Sequence, residues 1–171
     1  MELMVKSPVE LTRLVIPSMK ARDIGTIIYT SSRAASADLP WTTAYNCAKT
    51  SITRFAGTLQ AELNALQRIE GGGGGINVFS IHPGEIKTGL HETAFPEKTK
   101  KEAPYVIEFM DRISKGQPAY EGALPAWTCV YLCTGRGEVL KGRLVDCTRD
   151  VEEVKKHVEG LGKQMITNSC G

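Results

Sequence analysis

The sequence has no long apolar run. No stretch approaches the ~18 unbroken apolar residues that a membrane-spanning helix requires. Glu2, Lys6, Glu10, Arg13 and Lys20 also interrupt the region where a signal peptide would place its apolar segment. An excess of one charge is missing too: 21 Lys and Arg stand against 19 Asp and Glu, a formal net charge of +2. That removes the electrostatic basis for binding nucleic acid or an anionic membrane. Cysteine is scarce. Its five positions, 47, 129, 133, 147 and 170, are odd in number and form no C-x-x-C pair, so reduced thiols in a cytoplasmic protein are expected rather than a disulfide framework. Cys129 and Cys133 could fall one helical turn apart, but no second ligand pair flanks them; they are expected to be core thiols and not a metal site.

What is present is an ordinary globular composition, 42% hydrophobic and 23% charged over 171 residues, the size of one domain. Three short β-branched runs bounded by Gly or Pro read as strands: Thr26–Thr30, Ile76–Ile81 and Arg143–Asp146. Helical patterns lie between them. Leu11, Leu14, Val15 and Met19 share a face in a first helix, with Pro17 as an expected kink. Ala44, Ala48, Ile52, Phe55, Leu59, Leu63 and Leu66 recur in steps of three and four, the strongest helical signal in the chain.

That helix should stop at Gly71–Gly75, where backbone entropy opposes continuation. The glycines follow a helix and precede a strand, the reverse of a phosphate loop, and read as a surface connection. Residues 120–134 and 150–161 read as two further helices, the second with Asp150 as N-cap. Residues 85–118 are mixed and carry the basic patch Lys98-Thr99-Lys100-Lys101, read as a solvated face. Alternating strands and helices imply an α/β fold with a parallel sheet.

The chemistry concentrates between Gly25 and Lys49. Tyr45 and Lys49 are four apart at the start of the long helix, hence on one face. Ser32 lies thirteen residues before Tyr45, just beyond a strand, and the carboxyl ends of strands are where open α/β sheets bind ligands. A free phenol ionises near pH ~10. An ammonium about 4 Å away favours the phenolate by on the order of 4 kcal/mol at an effective dielectric of ~20, an upper figure because solvent screens the pair. Such a pair suits general acid/base work on an alcohol or carbonyl, with the Ser32 hydroxyl holding the oxygen as charge develops. A Tyr-x-x-x-Lys spacing by itself is common on surface helices, where both side chains simply extend to solvent.

Three further segments give the pattern its specificity. Gly25–Ser32 resembles the strand leading to the catalytic serine of the short-chain dehydrogenase/reductase family. Tyr45-Asn46-Cys47-Ala48-Lys49 resembles its YxxxK motif, and Pro83-Gly84-Glu85-Ile86-Lys87-Thr88 its PGxVxT segment, with Ile for Val. Gly142–Asp146 resembles its last strand.

The resemblance implies an NAD(P)-dependent oxidoreductase that interconverts an alcohol and a carbonyl, with Ser32, Tyr45 and Lys49 catalytic. It implies that Tyr45, Lys49, Pro83, Gly84, Ile86 and Thr88 contact NAD or NADP. Substrate selection is expected from Trp41 and residues 89–118. Helices 9–21 and 43–69 resemble those the family uses for subunit contacts, so a homo-oligomer acting on a small alcohol or carbonyl compound, without nucleic acid or membrane, is expected.

The resemblance covers the family's second half. The GxxxGxG turn is absent, and Gly135-Arg136-Gly137 follows a helix and lacks the rest of the pattern. Without that turn there is no helix N-terminus to receive a pyrophosphate, and the residue that selects NAD or NADP is missing with it. A single partial Rossmann-like domain over 1–171 is therefore expected: a doubly wound parallel sheet of about three strands, truncated on its N-terminal side, and inactive alone. Its first strand would form an apolar edge. Met4 falls where the family usually carries an Asn of its proton relay, and a thioether cannot supply an amide's hydrogen bonds. The alternative is a catalytically inert relative that acts through oligomerisation.

Overall fold

In a computed structural model of the chain, residues 1–38, 40–72, 74–89, 95–115 and 121–168 are described, with 113, 114 and 162–168 as backbone only. Three strands, β1 (Gly25–Thr30), β2 (Ile76–His82) and β3 (Leu144–Asp146), form one parallel sheet in the order β1-β2-β3. Gly25 pairs with Ile76 and Thr30 with Ile81; Ser80 pairs with Leu144 and His82 with Asp146. The helices are α1 (Ser7–Arg22), α2 (Thr43–Glu70), α3 (Glu97–Glu102), α4 (Pro104–Ser114), α5 (Ala123–Cys133) and α6 (Val151–Asn168). A wide π-type turn, Glu2–Lys6, precedes α1 and packs against α2. The expected α/β class and three-stranded parallel sheet are observed, and among the described residues no helix is long and apolar enough to cross a membrane.

The period of two along β2 divides the core. Ile76 and Val78 point to one face with Tyr29, Ile52, Ala56 and Leu63, under α1 and α2. Phe79 and Ile81 point to the other with Leu132, Leu140, Val145 and Cys147, under α5 and α6. β2 is covered on both faces, so apolar residues of both parities, Ile76, Val78, Phe79 and Ile81, are buried along it. Among the described residues β1 has no neighbour on its outer side.

Several expectations need correction. α1 holds Pro17 within it, and the residues it turns inward are Thr12, Ile16 and Met19; Leu11 and Leu14 are exposed. The Thr12 hydroxyl bonds to that of Tyr29, and this polar anchor rotates the helix away from its leucines. Cys133 is exposed and Cys129 only half-buried, whereas Cys147 is the buried thiol; Cys47 is exposed, and all four are free. Cys170 lies outside the described residues. The mixed stretch 85–118 contains α3 and α4, with the basic patch on the exposed α3, while residues 90–94 and 116–120 lie outside the described residues. The last helix continues past 161 to Asn168, and Asp150 caps it as expected, its Oδ1 accepting the Glu152 and Glu153 amides at 2.8 and 3.2 Å. Gly75 is more than a connector: a Cβ there would lie 1.7 Å from the Asp23 carbonyl oxygen, so only glycine lets the two loops meet.

Gln60 replaces missing sheet pairing. β3 is three residues long and reaches only Ser80–His82 of β2, leaving backbone groups of Val78 and Ile76 on that side without a strand partner. Buried Gln60 accepts the Val78 N–H at 2.7 Å and donates to the Ile76 carbonyl at 3.4 Å and to Asn64 Oδ1 at 3.0 Å. Gln60→Leu is expected to cost about 1–3 kcal/mol, because it orphans a buried amide. The check is a lower urea midpoint with an unchanged m-value.

Candidate active site

The carboxyl ends of β1, β2 and β3 bring together Ser31-Ser32, His82-Pro83-Gly84 and Asp146. Because Thr30 and Ile81 are in register and the Ser31 amide donates to the Ile81 carbonyl at 2.8 Å, the serine loop and the Pro-Gly turn lie side by side. The first turns of α2 complete the arrangement.

Lys49 is turned toward the site. Its Nζ donates to the Thr30 carbonyl at the end of β1 at 2.8 Å and lies 5.5 Å from the centroid of the Tyr45 ring. Burial of the ammonium pushes the Lys49 pKa down from its usual value, since a low-dielectric setting disfavours the charged form. Tyr45 remains exposed to ligand or solvent. The Ser32 Oγ accepts the Ala34 amide at 3.1 Å and caps a short 3-10 turn, Arg33–Ala35. This orients the hydroxyl and leaves its proton for donation. Ser32 and Tyr45 share no hydrogen bond among the described residues.

The serine loop is tied to the helix that carries Tyr45 and Lys49. Thr50 Oγ1 donates to the Ala35 carbonyl at 2.9 Å, Asn46 Nδ2 to the Ala37 carbonyl at 3.1 Å, and Thr42 Oγ1 to Asn46 Oδ1 at 2.8 Å. Ser31 Oγ contacts Thr53 Oγ1 at 2.5 Å and the Lys49 carbonyl at 3.3 Å.

Pro83, Gly84 and Ile86 are half-buried beyond β2 and Thr88 is exposed. Gly84 has φ +94°, a conformation that favours glycine. Trp41 stands in the loop before α2 with φ +60°, and its ring lies 5.5 Å from that of Tyr105 on α4. Met4 sits half-buried in the wide turn that packs on α2.

Known proteins resemble this chain in sequence and fold. The sequence pattern of the short chain dehydrogenase family matches residues 1–99. The chain belongs to the short-chain dehydrogenase/reductase family. A short chain dehydrogenase from Pseudocercospora fijiensis is 32% identical over 94% of this chain and 50% of its own length. Human dehydrogenase/reductase SDR family member 4 is 31% identical over 60% of this chain and 34% of its own. L-sorbose reductase from Gluconobacter frateurii, solved with NADPH and L-sorbose, superposes with a TM-score of 0.62 at 26% identity, covering 85% of this chain and 54% of that one. The chain thus spans about half the length, or less, of the relatives it matches, and its three strands with their flanking helices match part of the Rossmann-like short-chain dehydrogenase/reductase fold.

Within that fold this chain adds links that sequence reading missed. Arg33 Nη2 reaches Asp146 Oδ2 at 3.3 Å across 113 positions, tying the residue after Ser32 to the end of β3. Asp146 Oδ1 accepts the Thr148 hydroxyl at 2.7 Å and its amide at 3.0 Å. Partial burial pushes the Asp146 carboxyl up, but the Thr148 bonds, His82 and Arg33 outweigh it and hold the carboxyl below its ordinary value. Next to it, burial pushes His82 down, opposed by Asp146, and its Nδ1 is buried without a partner among the described residues.

A carboxyl with a depressed folded-state pKa contributes stability that is present above its unfolded value, ~3.9, and is lost as pH falls through the folded one. Asp146→Asn is therefore expected to lower stability by about 1–2 kcal/mol at pH 7. The gap to the parent protein closes below about pH 4. Urea midpoints across that range check it.

Proposed function

We propose that this chain is the catalytic and substrate-binding half of an NAD(P)-dependent oxidoreductase that interconverts an alcohol and a carbonyl. The observation that carries this is Lys49, which bonds to the end of β1 and lies against the ring of Tyr45. In the reducing direction the Ser32 hydroxyl donates a hydrogen bond to the carbonyl oxygen, and Tyr45 delivers the proton as negative charge grows there. Lys49 keeps a positive charge beside the phenol, so the phenolate left after transfer is stabilised. In the oxidising direction the same phenolate takes the alcohol proton.

NAD or NADP, when bound, supplies or accepts the hydride. The residues present fit its nicotinamide end: Gly84 turns the chain at φ +94° beyond β2 with Pro83, Ile86 and Thr88 beside it in sequence, and the Lys49 ammonium, held at the end of β1, is a donor for a ribose hydroxyl. The GxxxGxG turn for the pyrophosphate is not in this sequence, so affinity must rest on that end or on residues outside the chain.

Titration with NADH and NADPH, followed by turnover of carbonyl compounds, tests the reading; cofactor-dependent turnover supports it, and no turnover in any form of the protein that binds cofactor refutes it. The second reading, an inert relative acting by association through helices 9–21 and 43–69, is favoured by the exposed Leu11 and Leu14 on α1. Its mark is an oligomer in size-exclusion chromatography together with no cofactor binding.

A further inference from the structure

α4 is tied near both of its ends to loops that border the site, the one before α2 and the one after β2. Near its start, Tyr105 donates its hydroxyl to the Pro40 carbonyl and tilts its ring against Trp41 at 59°. Near its end, Arg112 pairs with Glu85 at 2.8 Å, the residue after Gly84, and its guanidinium lies 5.3 Å above the Phe109 ring. Phe109 is one turn from Tyr105, on the same face of the helix.

Trp41 is 65% exposed, Phe109 41% and Tyr105 40%, although these are the side chains that a fold most readily buries. Trp41 also holds a left-handed backbone at φ +60°, which is strained for a bulky residue. Strain kept by hydrogen-bonded neighbours concentrates at ligand sites. Here the Asn46 bonds to Ala37 and Thr42 hold the loop on either side of Trp41, four positions before Tyr45.

We infer that Trp41, Tyr105 and Phe109 form an aromatic surface that selects flat, aromatic carbonyl compounds over saturated ones of the same carbon skeleton. This substrate class rests on the oxidoreductase reading above. Aromatic faces offer offset or edge contacts to a conjugated ring that a puckered ring cannot match, and the hydrogen bond and ion pair at the two ends of α4 keep that surface in place without induced ordering. The three residues act by binding the ring that carries the carbonyl; Tyr45 and Ser32 act on its oxygen.

The test compares 2-acetylnaphthalene with its fully saturated decalin counterpart by equilibrium dialysis against the protein, with and without NADP. The aromatic ketone is expected to bind about ten-fold tighter, the scale of one or two aromatic contacts. Trp41→Leu or Phe109→Leu should each reduce the preference several-fold. Both side chains are exposed, so neither change removes core packing, and Tyr105→Phe, which keeps the ring, should retain most of the preference. Equal binding of the two ketones, binding of neither, or a preference that survives both leucine variants overturns the inference. Binding is read without turnover, so a protein that prefers the aromatic ketone yet oxidises no NADPH refutes the dehydrogenase reading alone.

Discussion

Tyr45→Phe is expected to reduce NAD(P)H-dependent carbonyl turnover by about 10²–10⁴-fold in kcat, the range that a positioned acid or base contributes, with KM changed little. The ring stays, so its packing and the nearby Lys49 ammonium, 5.5 Å from the ring centroid, are preserved; only the transferable proton is lost. That separation makes the variant informative, because a fall in kcat with unchanged KM marks an interaction made in the transition state. Activity that survives intact in Tyr45→Phe would remove Tyr45 from the mechanism. The companion change Lys49→Met should also lower kcat, since the ammonium beside the ring is lost from the transition state. An unchanged kcat would assign Lys49 a purely structural role through the Thr30 carbonyl.

The largest stability effect is expected at Phe79. Its side chain is wholly inaccessible and packs with Leu132, Leu140 and Val145 between β2 and the helices beneath it. Phe79→Ala should cost about 3–5 kcal/mol, the loss of a buried ring plus the cavity it leaves. Against a typical total of roughly 5–15 kcal/mol, that is a large share of the fold. Phe79→Leu fills most of the space and should cost about 1 kcal/mol. Urea denaturation of the two variants decides it; near-equal midpoints would mean that this layer of the core collapses around the gap. The consequence is functional as well, because β2 leads directly into Pro83-Gly84.

The elements that carry chemistry were legible because their signals are local. Runs of β-branched residues ending in Ser31-Ser32 and Pro83-Gly84 announced two parallel strands, and the observed β1 and β2 differ from the expected spans by one residue at an end. The four-residue spacing of Tyr45 and Lys49 could only place them on one helical face. α1 was misjudged because its leucines outweigh Thr12 in any hydrophobicity pattern, yet one hydrogen bond to Tyr29 turns Thr12 inward. Residues 97–114 showed no clear period because Pro104 splits them into two short helices, although α4 is helical and held by Tyr105 and Arg112.

The chain by itself determined the strand ends, the helix that pairs a phenol with an amine, and the missing pyrophosphate turn, since each is a matter of neighbours along the backbone. Only the tertiary structure decided that Gln60 completes the sheet, that Arg33 reaches Asp146, that Lys49 points to the Thr30 carbonyl, and that Trp41 meets Tyr105. These are contacts between residues 16 to 113 positions apart. The free energy that selects them comes from which polar groups are left unpaired and which rings can touch once the layers have packed, and no local pattern records that.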